Sequence, residues 1–257
     1  MGWTIKESIK SLMIRHFKEF KTNYSDIANV ANKLEGHKQY FEDKIDGNFN
    51  WKYHGEILEL LQLHHAPKDI SILDIGTQFG FVPHFLKEYG FTDVSCTNSS
   101  KEAGSGLDDL QKVWKAMDLE VMDFHIEPKK EFALEKKYDL ILINSTNVLW
   151  NNERLCHYQG GKFPHMDNSN YVIDSEGEAH TFIVPFNTTE IDLFVDNLKR
   201  YLSDEQGIAI VQPMPYPYYS PGFEKERNHI NTNWQQICHW EVTEENASRD
   251  YFVVTNK

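Results

Sequence analysis

The chain has 257 residues, with 26 basic against 39 acidic side chains and a net charge of −13, a balance that opposes tight binding to a phosphate polymer and disfavours nucleic acid as a partner. Apolar residues make up 40% and aromatics 13%, too many for a disordered chain, so a globular protein with a sizeable core is expected. No run approaches the roughly 18 apolar residues of a membrane span, and no membrane association is expected.

In chain order, residues 3–22 carry Ile5, Ile9, Leu12, Met13, Phe17 and Phe20 at the spacing of an amphipathic helix, with Thr4 and Glu7 as a capping box. Further helices are expected over 25–34 and 51–65. Residues 1–66 therefore form a helical cap preceding the domain of 67–257. From Ser71 the pattern becomes strand, loop, helix, repeated: "SILDI" is a short apolar strand, and "VPHFLKEYG" a helix closed by Gly90. "DVSCT" follows as a strand, "LDDLQKVWKAM" as a helix and "LEVMDF" as a weaker strand. "YDLILINS" is apolar enough to lie buried on both faces as a central parallel strand.

After Ser145 the rhythm is lost across 147–187, a polar and aromatic stretch too long for a plain connection, which reads as an insertion covering something. The rhythm returns with a helix through "TEIDLFVDNLKRYL" and the strand "IAIVQP". "ICHWEVTEE" and "DYFVVTNK" then form an antiparallel pair at a sheet edge. Alternating strands and helices define an α/β protein: an open, mainly parallel sheet with helices on both faces, binding ligands beyond the carboxyl ends of its strands.

The stretch "ILDIGTQFG" ends the first of these strands. It resembles the opening motif of the class I S-adenosylmethionine-dependent methyltransferases, an apolar strand followed by Asp/Glu-x-Gly-x-Gly-x-Gly. Asp74, Gly76 and Gly80 match, Thr77 lies within the loop, and Gln78 stands where the middle glycine usually is. The resemblance continues along the chain. Asn98 takes the place of the acidic residue that bonds the ribose, Asp123 and Phe124 lie where the adenine is approached, and Asn144 closes the fourth strand. These folds finish with an antiparallel strand inserted into the sheet, as the closing pair does here. The resemblance implies a Rossmann-like fold, S-adenosyl-L-methionine as cofactor, and Asp74, Gly76, Thr77, Gln78, Gly80, Asn98, Asp123, Phe124 and Asn144 as cofactor-binding residues.

The sulfonium cofactor is already activated, so such an enzyme chiefly aligns the acceptor and excludes water, with a general base only where the acceptor must lose a proton. Within the insertion His157, His165 and His180 are the candidate bases, and Tyr158 and Asp167 are candidate acceptor contacts. Tyr216 and Tyr218, on the proline-stiffened run "VQPMPYPYYSPGF", are expected to line the same pocket. A small-molecule acceptor methylated on oxygen or nitrogen is the first reading, and a protein side chain the second. The residues "NSTN" after the fourth strand lack the proline pair of the enzymes that methylate base amino groups. A non-catalytic binding protein of the same fold is the rival supported by Gln78 and Asn98. A nicotinamide-dependent oxidoreductase is disfavoured because the loop lacks the G-x-G-x-x-G spacing. Three scattered cysteines support neither a disulfide framework nor a zinc knuckle. No metal ligation is expected, and the cytoplasm is the expected compartment.

Overall fold

A computed structural model describes residues 29–45, 63, 65–100, 106–127, 129–146, 150–156, 182–204, 206–213, 224–242 and 247–256. Its strands are β1 (Ser71–Ile75), β2 (Asp93–Asn98), β3 (Val121–Asp123), β4 (Leu140–Thr146), β5 (Trp150–Cys156), β6 (Phe182–Pro185), β7 (Ile208–Pro213), β8 (Gln235–Val242) and β9 (Ala247–Thr255). Its helices are α1 (Lys38–Ile45), α2 (Phe81–Glu88), α3 (Leu107–Ala116), α4 (Thr188–Arg200) and α5 (Glu224–Asn233). Seven strands form one sheet in the order β3-β2-β1-β4-β7-β9-β8, while β5 and β6 form a separate pair. With that pair set aside, the order is that of a Rossmann-like sheet with its last strand inserted antiparallel before the edge. This is the expected fold class.

The chain divides into two compact units, Met1–Phe124 and His125–Lys257. In the first, β1 pairs in parallel with β2, Asp74 opposite Cys96, and β2 with β3, Asn98 opposite Asp123. Parallel pairing puts the ends of all three strands, Ile75, Asn98 and Asp123, at one edge. Ile72, Leu73 and Ile75 are buried, as both faces of an interior parallel strand require. Helix α2 buries Phe81, Val82, Phe85 and Leu86, and Gly90 follows it at φ 102, the left-handed closure expected of that glycine.

A clamp at Asp109 fixes the segment before α1 onto α3. The Asp109 carboxylate, 4% exposed, accepts from the backbone N–H groups of Glu35 (3.1 and 3.0 Å), Gly36 (2.9 Å) and His37 (3.1 Å), and from Lys112 Nζ at 3.1 Å. Lys112 Nζ also donates to the Lys33 carbonyl at 3.0 Å. Burial alone would raise the Asp109 carboxyl, but these donors outweigh it and hold it at about 2.

In the second unit, β4 pairs in parallel with β7, Leu140 opposite Ile208, and Leu140 to Ile143 are all buried. Strand β9 pairs antiparallel with β7 and with β8. Helix α4 opens on a capping box in which Asn187 Oδ1 accepts from the Glu190 N–H and Glu190 accepts from the Asn187 N–H, each at 3.0 Å. Its apolar face, Ile191, Phe194 and Leu198, is buried, and Phe194 packs on Phe132 and Trp234.

Several elements depart from expectation, among them α1, which lies between the helices expected over 25–34 and 51–65 in a stretch whose end, 42–50, reads as a loop. The ends of the 147–187 stretch pair as β5 and β6, with Asn151 opposite Val184. Partners so far apart leave no local turn signal, so the pairing has no signature in the sequence. Helix α5 was not anticipated either. It buries only Ile230, and a helix with one buried side chain has no apolar stripe for periodicity to find. Among the described residues no helix is long and apolar enough to cross a membrane. Of the expected cap, the helix over 3–22 and nearly all of that over 51–65 lie outside the described residues.

Candidate functional site

The loop after β1 turns on three left-handed residues, Gly76 (φ 75), Gln78 (φ 50) and Gly80 (φ 85). The β1–β2 pairing carries on into this loop, the Gly76 and Thr77 N–H groups both donating to the Thr97 carbonyl of β2, at 3.0 and 2.9 Å. The Gly80 N–H closes the turn on the Thr77 carbonyl at 2.9 Å. Gly80 then serves as N-cap of α2. A Cβ there would lie 2.4 Å from Leu119 Cδ1, so both conformation and packing demand glycine.

Gln78 keeps a side chain where glycine would be free of strain, and its backbone is held from both ends. Its N–H donates to Asn98 Oδ1 at 3.3 Å, and its carbonyl accepts from Trp114 Nε1 at 2.5 Å. The two residues that depart from the methyltransferase motif are thus bonded to each other. Phe79, next in the loop, is buried against Phe41 of α1 and against Phe81, with ring centroids 5.1 and 5.8 Å apart.

Asp74, near the end of β1, is 4% exposed. Burial pushes its carboxyl up to about 6, offset in part by the Thr77 side chain. Thr77 Oγ1 is itself buried beside it. The buried Cys96 thiol is pushed up to about 12 by burial and by Asp74, against a smaller pull from Lys87. It therefore stays protonated and unreactive at neutral pH.

The remaining residues expected to bind cofactor meet differing fates. Asn98 lies at the end of β2, half-buried, with its Nδ2 donating to the Ser99 carbonyl at 3.5 Å. Asp123 ends β3 beside it, but its carboxylate is engaged by the Ser100 N–H (2.8 Å) and hydroxyl (2.6 Å). Phe124 is buried, and its N–H donates to the Asn98 carbonyl at 3.0 Å. Asp74, Gly76, Thr77, Gln78, Gly80, Asn98 and Asp123 thus gather at one edge of the first unit. Asn144 lies within β4 of the second unit, its side chain outside the described residues. His157, Tyr158, His165, Asp167, His180, Tyr216 and Tyr218 also lie outside the described residues. Trp114 was not anticipated, since nothing local ties an indole on α3 to a loop 36 residues earlier.

The residues present fit a nucleoside carrying a cationic amino acid arm. A buried carboxyl adjoins a glycine turn, the Thr77 hydroxyl is buried beside it, and polar side chains end the next two strands. Such a cradle holds a ligand by close backbone approach and a few placed polar groups.

No family model matches the chain, and no curated protein matches it. Among solved structures it is similar to a ribosomal protein L11 methylase from Lactobacillus delbrueckii subsp. bulgaricus, at 13% identity over 78% of each chain, TM-score 0.41. It is also similar to a precorrin-6y C5,15-methyltransferase from Geobacter metallireducens, at 12% identity over 77% of this chain and 86% of that one, TM-score 0.39. A third likeness is the glycopeptide N-methyltransferase MtfA complexed with S-adenosylhomocysteine, at 10% identity over 77% and 88%, TM-score 0.42. These likenesses are distant, and the fold class rests on the strand order itself.

Proposed function

We propose that the protein is a class I S-adenosylmethionine-dependent methyltransferase. The observation that carries this reading is the inserted antiparallel strand β9 in the order β3-β2-β1-β4-β7-β9-β8, joined to the left-handed turn at 76, 78 and 80 on β1. A dinucleotide-binding sheet of order 3-2-1-4-5-6 has no such insertion. When bound, the cofactor supplies an activated methyl group on a sulfonium. Asp74 would hold its ammonium, with the Thr77 hydroxyl beside that carboxyl, and Asn98 would meet the ribose. Acceptor recognition belongs to the 147–187 insertion, with His157, His165 or His180 as base where the acceptor must lose a proton, and Tyr158, Asp167, Tyr216 and Tyr218 as its contacts. A small-molecule acceptor remains the first reading.

Calorimetric titration with S-adenosylmethionine, S-adenosylhomocysteine and NAD tests the proposal. Binding of the two sulfur compounds and not of NAD is expected. Absence of sulfur-compound binding overturns the reading, and binding without turnover across a broad acceptor panel converts it to the non-catalytic alternative.

A further inference from the structure

Of the three left-handed residues in the loop after β1, two are glycine and the middle one is Gln78, for which that conformation carries a cost that glycine avoids. Strained backbone persists only where its surroundings over-determine it. Here two bonds from outside the loop reach the Gln78 backbone: Asn98 Oδ1 of β2 on its N–H at 3.3 Å, and Trp114 Nε1 of α3 on its carbonyl at 2.5 Å. The indole is the closer of the two.

Trp114 suits that hold. It is 8% exposed, and an indole N–H can only donate, so a buried one needs an acceptor. Trp114 Cδ1 also lies 3.4 Å from the place a Cβ on Gly80 would take, so one side chain meets the turn at two of its three left-handed positions. The helix that carries it is fixed independently, by the fully buried Val113 and by the Asp109 carboxylate on the backbone of 35–37. A donor on a packed helix keeps its direction, whereas the turn it holds is loop backbone.

Resting on the cofactor reading above, we infer that Trp114 is a positioning residue for cofactor binding: its indole N–H, bonded to the Gln78 carbonyl, keeps the turn left-handed where the chain carries a side chain in place of glycine. It acts through the backbone of the turn, the part of the loop that a bound cofactor approaches. The hold and the strain are linked, so relieving the strain at 78 removes the need for the indole.

The test is a double-mutant cycle of Trp114→Phe and Gln78→Gly, read by calorimetric titration with S-adenosylhomocysteine and by hydrogen exchange over residues 76–80 without ligand, with a thermal melt of each protein. Trp114→Phe keeps an aromatic ring in place and loses the N–H. Alone it should speed exchange of the turn about three- to tenfold, the range of one net hydrogen bond, and weaken binding by a similar factor. In the Gln78→Gly background both effects should shrink to about twofold or less, because glycine takes the left-handed conformation unaided. Equal losses in the two backgrounds show that the ring merely packs and overturn the inference, as do unchanged binding and exchange in Trp114→Phe. Val113→Ala, a core truncation next door, should melt lower yet bind as wild type does; a loss of binding there equal to that of Trp114→Phe also overturns the inference. Should Trp114→Phe fail to fold, wild type decides by nuclear magnetic resonance: the Trp114 Nε1 proton should exchange with solvent far more slowly than a free indole and shift on titration with S-adenosylhomocysteine, and fast exchange overturns the inference. If wild type does not bind S-adenosylhomocysteine, the cofactor reading fails and the positioning role falls with it, a result read on the unaltered protein and so distinct from the outcome of the cycle.

Discussion

The Asp109 clamp makes a prediction whose size and pH dependence both follow from its geometry. Replacing Asp109 with Asn removes a charge that accepts from three consecutive N–H groups and from Lys112, and turns an amide NH2 toward donors. A carboxyl held at about 2 against its ordinary 3.8 contributes about 2 kcal/mol, at about 1.4 kcal/mol per tenfold change in proton affinity. Glu35 and Gly36 are exposed, so solvent screens part of this, and about 1–2 kcal/mol is expected at pH 7. For a chain of this size that lowers the melting temperature by about 2–8 °C. The carboxyl titrates below its unfolded value in the folded protein, so its contribution is complete above about pH 4 and is lost as pH falls toward about 2. Urea unfolding followed by circular dichroism from pH 7 down to pH 3 should show the gap between wild type and Asp109→Asn narrowing below pH 4. Coincident curves at pH 7, or a gap that does not change with pH, would refute the reasoning.

Asp74 has the opposite sign. Its folded carboxyl lies at about 6, above its ordinary 3.8, so it costs stability as pH rises from about 4 through 6. Asp74→Asn should therefore be about 1–3 kcal/mol more stable at pH 7, yet bind S-adenosylmethionine at least tenfold more weakly in calorimetry; a variant with unchanged affinity would remove Asp74 from the site. Wild-type affinity should also fall as pH drops through about 6, and that dependence should vanish in Asp74→Asn. Gly80→Ala meets Leu119 at 2.4 Å from a φ of +85, so a loss of about 2–4 kcal/mol is expected in denaturant titration, and truncating Leu119 should recover only the steric part.

Much of the fold was legible because its evidence is local. "YDLILINS" announces a strand buried on both faces, and Leu140 to Ile143 are so buried. The glycine loop was legible as a turn from Gly76 and Gly80. What the sequence did not disclose depends on long-range partners. The bond from the Gln78 N–H to Asn98 and the indole of Trp114 on the Gln78 carbonyl join residues whose proximity exists only once the sheet has formed. Asp109 gave no sign either, since an acidic residue in the first turn of a helix is ordinary surface chemistry by its sequence setting.

The Asp109 clamp also bears on how this protein should drift over evolutionary time. Its donors at 35, 36 and 37 are backbone N–H groups, which every residue but proline supplies, so selection acts on one partner of the contact and hardly on the other. Relatives should keep an acid at the position of Asp109 while the three residues facing it vary, proline apart. A second rule is steric: a Cβ on Gly106 would lie 2.1 Å from the His37 ring, so a larger residue at 106 requires that ring to turn away or residue 37 to be smaller. One position held by charge and one pair linked by volume would mark this clamp in distant sequences.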